Sequence, residues 1–183
     1  MATVIVSSGN SPYDVLSGQT DNNDVVVSGG SMVVLSGGTA SDITASSGGA
    51  LVLASGGSLG GSIAFASPGT GGTLTIEGTS MPSAAINGFV EGDTIDLARV
   101  AFASGGSVTV LSGGALLQVV ESGKTYDLNL ASYIFEGESL VLSSDGGSGT
   151  DVTISFPVIY VSNGQIDVGD TLLAAAHDAE ERS

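Results

Sequence analysis

SGGSMVVLSGGTASDITASSGGALVLASGG, running from Ser28 to Gly57, is punctuated by one tripeptide at regular intervals. Its Ser-Gly-Gly triplets begin at Ser28, Ser36, Ser47 and Ser55, at alternating steps of 8 and 11 residues. A variant, Ser17-Gly18-Gln19, extends the series backwards by one more step of 11. The unit is therefore 19 residues long, and residues 17–35 and 36–54 are consecutive copies. A period near 20 marks a solenoid, in which one unit cannot bury its apolar face alone and stacks on its neighbours.

Between the triplets lie short apolar runs: Val25-Val26-Val27, Met32-Val33-Val34-Leu35 and Leu51-Val52-Leu53. A helix needs about ten residues to hold together, and these runs are too short. Valine loses rotamer freedom in a helix but packs well on a pleated surface. Glycine supplies the positive φ of a sharp corner. Each unit thus reads as strand, corner, strand, corner, closed by a polar stretch such as Thr39-Ala40-Ser41-Asp42. Stacked units would lie about 4.8 Å apart and share parallel backbone hydrogen bonds. The predicted fold is all-β: a single-stranded, right-handed parallel β-helix, or β-solenoid, with 19-residue rungs in the N-terminal half.

The organisation along the chain depends on where the rhythm holds. Residues 1–78 read as repetitive rungs, 79–156 as an irregular continuation or cap, and 157–183 as a degenerate repeat start with a solvated tail. An insertion at Ser67-Pro68-Gly69-Thr70 is expected to bulge outward, and Met81-Pro82 to interrupt any strand. The phrase SGGSMVVLSGG of residues 28–38 returns at 104–114 as SGGSVTVLSGG, identical at nine of eleven positions. That return predicts the same architecture in the second half. Strands are expected at 116–120, 126–128, 140–142 and 152–154. At the end, Ser162-Asn163-Gly164-Gln165 suggests a new array, or Asp170 caps a short helix.

Composition narrows the function. The 183 residues carry 19 acidic side chains against Arg99, Lys124 and Arg182, a net charge of −16. That balance excludes nucleic acid as a partner, since phosphate neutralisation needs basic residues. The 42% hydrophobic content argues against a disordered Gly/Ser linker. There is no cysteine, so disulfides and thiol chemistry are excluded. No apolar run approaches about 18 residues, so no transmembrane helix is expected. The first residues, Met1 to Ser7, lack the basic and long apolar regions of a secretory signal peptide.

The 19-residue Ser-Gly-Gly-Thr-Ala units over residues 3–78 resemble the repeats of AIDA-type autotransporter adhesins, whose passengers are β-helices on Gram-negative cell surfaces. Gly71-Gly72-Thr73-Leu74-Thr75-Ile76, Ile86-Asn87-Gly88-Phe89, Gly92-Asp93-Thr94-Ile95-Asp96-Leu97, Leu116 to Val119 and Thr125-Tyr126-Asp127-Leu128 resemble the region preceding a Hint domain in bacterial surface or secreted proteins. The Hint domain itself starts with cysteine and is absent, so its self-processing is not carried over. The resemblance implies an extracellular or cell-surface rod for adhesion, autoaggregation and biofilm formation. Its partners would be glycans or proteins of a cell surface or matrix, or a second copy of itself. Exposed strand positions such as Val26 and Val33 would help side-to-side packing, and an open end rung could stack end to end.

Two rival functions carry candidate residues. Gly146-Gly147-Ser148-Gly149-Thr150-Asp151 fits the first six positions of the calcium-binding RTX nonapeptide. Asp145 and Asp151 are the candidate ligands for structural Ca²⁺, although a single copy and Thr153 at the apolar eighth position depart from the pattern. Asp21-Asn22-Asn23-Asp24 is a second oxygen-rich cluster, read as an Asx-rich corner. A polysaccharide-active β-helix would rely on Arg99 or Lys124 beside carboxylates. Asp93 and Asp96, three apart at a strand start, should face opposite ways and form no catalytic pair. His177 alone cannot build a triad, so no catalytic residue is assigned and a non-enzymatic protein is expected.

Overall fold

The computed structural model describes residues 3–66, 71–131 and 138–156. The expected insertion at 67–70, the tail from Pro157 and His177 lie outside the described residues. The chain winds into a β-solenoid of about five turns, with rungs of about 20 residues.

Two parallel walls carry the turns. One is built from β1 (Ile5–Val6), β3 (Thr20–Asn22), β4 (Val25–Val26), β6 (Thr39–Ala45), β8 (Ser58–Phe65) and β10 (Ala85–Asn87). The other takes β2 (Tyr13–Val15), β5 (Ser31–Val34), β7 (Ala50–Leu53), β9 (Thr73–Ile76) and β11 (Thr94–Leu97). Tyr13 pairs with Met32 and Ser31 with Ala50, the step of 19 read from the sequence. Later steps lengthen: Ser62 pairs with Ala85, 23 residues on, and Thr73 with Thr94, 21 on. Alternation decides what faces the lumen. The column Met32, Leu51, Leu74, Ile95 and Val152 stacks in register and is wholly buried. Val26 belongs to the buried core and is not an exposed packing position; the kink at Asn23 (φ 61) sets its strand phase so that Val25 faces outward instead. Val33 is half-buried on the outer face.

The triplet has a division of labour. Its first glycine takes the left-handed φ, as at Gly29 (76°), Gly37 (77°), Gly48 (71°) and Gly56 (85°). Its second glycine has no room for a side chain. A Cβ on Gly49 would lie 2.3 Å from the carbonyl oxygen of Val26, and one on Gly57 2.5 Å from that of Val34. The serine lies under the first glycine of the next rung, Ser17 beneath Gly37 and Ser36 beneath Gly56. Corner amides continue the ladder: Gly18 N–H donates to the Gly37 carbonyl at 2.9 Å, and Gly37 N–H to that of Gly56 at 2.8 Å. A third corner, at Asn23, Asp42 and Gly61, is also left-handed, with φ of 61°, 56° and 60°.

The second half departs from the repeat. Residues 104–114 do not make another rung. They lead into β12 (Ser107–Leu111), which pairs antiparallel with β13 (Leu116–Glu121), itself antiparallel to β14 (Lys124–Asn129). The physical reason is the second triplet: Ser112, Gly113 and Gly114 all take left-handed φ (55°, 65° and 98°) and turn β12 onto β13 with Leu111 opposite Leu116, after which Ser122-Gly123 (51° and 76°) turns β13 onto β14 as a two-residue hairpin. The chain folds back at once instead of travelling round a rung. The four strands expected here all form, the last two being β15 (Ser139–Ser144) and β16 (Thr150–Ser155). β16 lies antiparallel to both β11 and β15, so the second wall ends in an antiparallel pair. β15 is the edge strand of that wall on this side, and at the opposite end the described strands β1 and β2 are edges. Residues 77–84, around Met81-Pro82, contain no strand, as expected.

The two Ser-Gly-Gly environments give a paired prediction. Gly49→Ala should destabilise by about 2–3 kcal/mol, because a backbone oxygen blocks the methyl. Gly105→Ala, with nothing within 4 Å of its Cβ position, should stay within about 0.5 kcal/mol of the parent in urea melts.

Candidate functional site

The two candidate ligands sit where the antiparallel pair meets the last parallel strand. Asp151, on β16, is the direct cross-strand partner of Asp96 on β11. Both side chains lie on the outer face, since their neighbours Ile95 and Val152 fill the lumen. Asp145 opens the turn between β15 and β16, and its Oδ1 accepts the Gly147 N–H at 2.6 Å. That turn packs onto the end of β11: a Cβ on Gly149 would lie 2.5 Å from Asp145 Oδ2 and 2.7 Å from Ala98 Cα. Thr150 fastens the junction, its hydroxyl donating to the Val100 carbonyl at 2.8 Å.

The electrostatics are repulsive. Burial holds the Asp96 carboxyl above the ordinary Asp value, the nearby Asp151 adds to this, and Thr75's hydroxyl opposes it. Asp145 and Glu77 push the same group further up. Asp151 is raised by burial and then by Asp145. Asp96 Oδ1 is sealed from solvent with no hydrogen-bond partner. Like charges placed directly opposite across a strand pair destabilise it. Among the described residues, no group of three His, Cys, Asp or Glu side chains could hold a metal ion. Asp145 and Asp151 are neighbours in the sequence as well as in space; nothing in the sequence signals that Asp96, some 50 residues earlier, joins them.

Asp93 and Asp96 do face opposite ways. Asp93 is buried, and its two oxygens accept the Gly72 N–H at 3.0 Å and the Val90 N–H at 3.2 Å. It is a structural plug at the corner position that Gly72 fills one rung earlier. Aligning Gly71-Gly72-Thr73-Leu74 with Gly92-Asp93-Thr94-Ile95 shows this from the sequence. Glu121 carries no such signal; it is buried beside Gly106, with Oε2 accepting the Ala103 N–H at 3.0 Å. Arg99 lies just after β11 and Lys124 opens β14, both exposed and on different sheets.

Comparison with protein-family models, with curated proteins and with solved structures finds no match. Function must therefore be read from the residues and their arrangement.

The raised carboxyls fix a pH dependence. For a group whose folded pKa exceeds its ordinary 3.8, the stabilising contribution is complete below that value and is lost as pH rises through the folded pKa. Asp96→Asn should therefore stabilise the protein at pH 7, by about 0.5–1 kcal/mol. The gain should disappear at about pH 3, where the parent carboxyl is protonated. Urea melts at both pH values measure it, and an equal gain in acid would exclude the electrostatic cause.

Proposed function

We propose that the protein is a non-enzymatic, adhesin-like structural rod, exposed on a cell surface or secreted, acting in adhesion and autoaggregation through many weak contacts. The observation that carries this is the in-register repetition of small polar side chains along the stack. Thr20, Thr39 and Ser58 pair in a line on the outer face of the first wall, and Asn22 and Ser41 pair beside it. The corner serines repeat at the same spacing, and Ser17, Ser36 and Ser55 are exposed. Identical groups at one-strand spacing let a periodic partner, such as a glycan chain or another rod, make the same contact repeatedly. Contacts that are weak singly then add through effective concentration. The AIDA-type likeness of residues 3–78 points the same way.

A second reading is a calcium-stabilised, RTX-like secreted module. It draws on the glycine-rich turn between Asp145 and Asp151, beside the sealed and unpartnered Oδ1 of Asp96. It requires Ca²⁺ to raise the melting temperature through Asp145 and Asp151.

The rod reading is tested by display. Cells carrying the protein on their surface should clump or bind glycan-coated and matrix-coated surfaces. The triple change Thr20→Ala, Thr39→Ala and Ser58→Ala should cut that binding several-fold while leaving the melting temperature within a few degrees. Settling rates identical to undisplayed cells, on every surface tried, would end the proposal.

A further inference from the structure

Two carboxylates lie inside the first turns of the solenoid, in columns that are apolar in the rungs above. Asp21 is 5% exposed and Asp24 1% exposed. Residues three apart in a strand ordinarily face opposite sides. Here the left-handed Asn23 between them, with φ of 61°, turns the chain so that both point into the lumen. The next residues along their columns are Ala40 and Leu59 above Asp21, with Ile43 and Ile63 beside the Asp24 column. From the opposite wall Tyr13 donates its hydroxyl to Asp21 Oδ2 at 3.1 Å.

Asp24 is incompletely satisfied. Its Oδ1 accepts the Val4 N–H at 2.7 Å, but Oδ2 is sealed from solvent with no partner. A buried carboxylate oxygen left without a hydrogen bond carries a desolvation penalty. Burial raises the Asp24 carboxyl, the Val4 amide opposes the shift, Asp21's charge adds to it, and the chain's amino terminus opposes it last. The oxygen-only donor set suits a hard cation and does not suit a soft one.

We propose that Asp21 and Asp24 bind one hard cation within the first two rungs, Asp24 supplying Oδ2 and Asp21 its oxygens beside Tyr13. Through the Val4 and Tyr13 hydrogen bonds, the ion ties the edge strands β1 and β2 to the rung above. The site is separate from the cap cluster of Asp96, Asp145 and Asp151.

The test is a set of melting curves on chelator-treated full-length protein, with CaCl₂, MgCl₂ or NaCl added at matched ionic strength. At a hundredfold excess over Kd, a bound ion should raise Tm by about 5–10 °C. Asp24→Asn should abolish the rise while melting no lower than the ion-free parent, since its amide still accepts from Val4. Asp21→Asn, should the first variant not fold, should weaken the rise in the same direction. The double variant Asp145→Asn and Asp151→Asn should keep it. Absence of a rise with any of the three ions overturns the site. So does a rise that survives Asp24→Asn, or one lost only in the Asp145 and Asp151 variant, which would move the ion to the cap.

Discussion

The stacking of the early rungs depends on one close approach, that of the second glycine of a Ser-Gly-Gly corner to a carbonyl oxygen of the rung before it. At Gly30, Gly38, Gly49 and Gly57 a methyl group would lie 2.3–2.5 Å from that oxygen. The missing side chain lets successive corners sit at strand spacing, so that the apolar columns between them close up without voids. A corner held further apart would break the parallel hydrogen bonds on both adjoining walls. The serine beneath each left-handed glycine completes the fit, which is why the triplet recurs as a unit.

The same triplet shows where sequence reading stops. In the first half its spacing determined rung length, strand positions and the inward columns, and Tyr13 opposite Met32 is the register that a step of 19 requires. At residues 104–114 almost the same letters make a different object. Gly105 lacks the left-handed φ of its counterparts, and Gly106 packs against the Glu121 carboxylate in place of a backbone oxygen. The cause lies in the second triplet. Ser112, Gly113 and Gly114 are all left-handed and reverse the chain between Leu111 and Leu116, so the neighbour of β12 arrives from ahead, running backwards. A local phrase specifies a local turn; only a partner at the right distance makes it a rung.

The candidate site was half legible for a related reason. Asp145 and Asp151 stood out because they flank a glycine-rich run. Asp96 entered because β16 inserts beside β11 in antiparallel register, a pairing no periodicity could announce. The inward turn of Asp21 and Asp24 depends likewise on one backbone angle at Asn23. In both places two carboxyls are held close, where composition alone suggested only a solvated acidic surface.

The two ends of the rod differ in how far along the chain their strands come from. Each early rung rests on a segment made about 20 residues before it, so stacking can begin while most of the polypeptide is still to come. The closing strand instead pairs Ile95 with Val152, nearly three rung lengths away. Assembly therefore has a built-in direction: early turns form from neighbouring segments, whereas β11 gains its outer partner only after residues 150–155 have emerged.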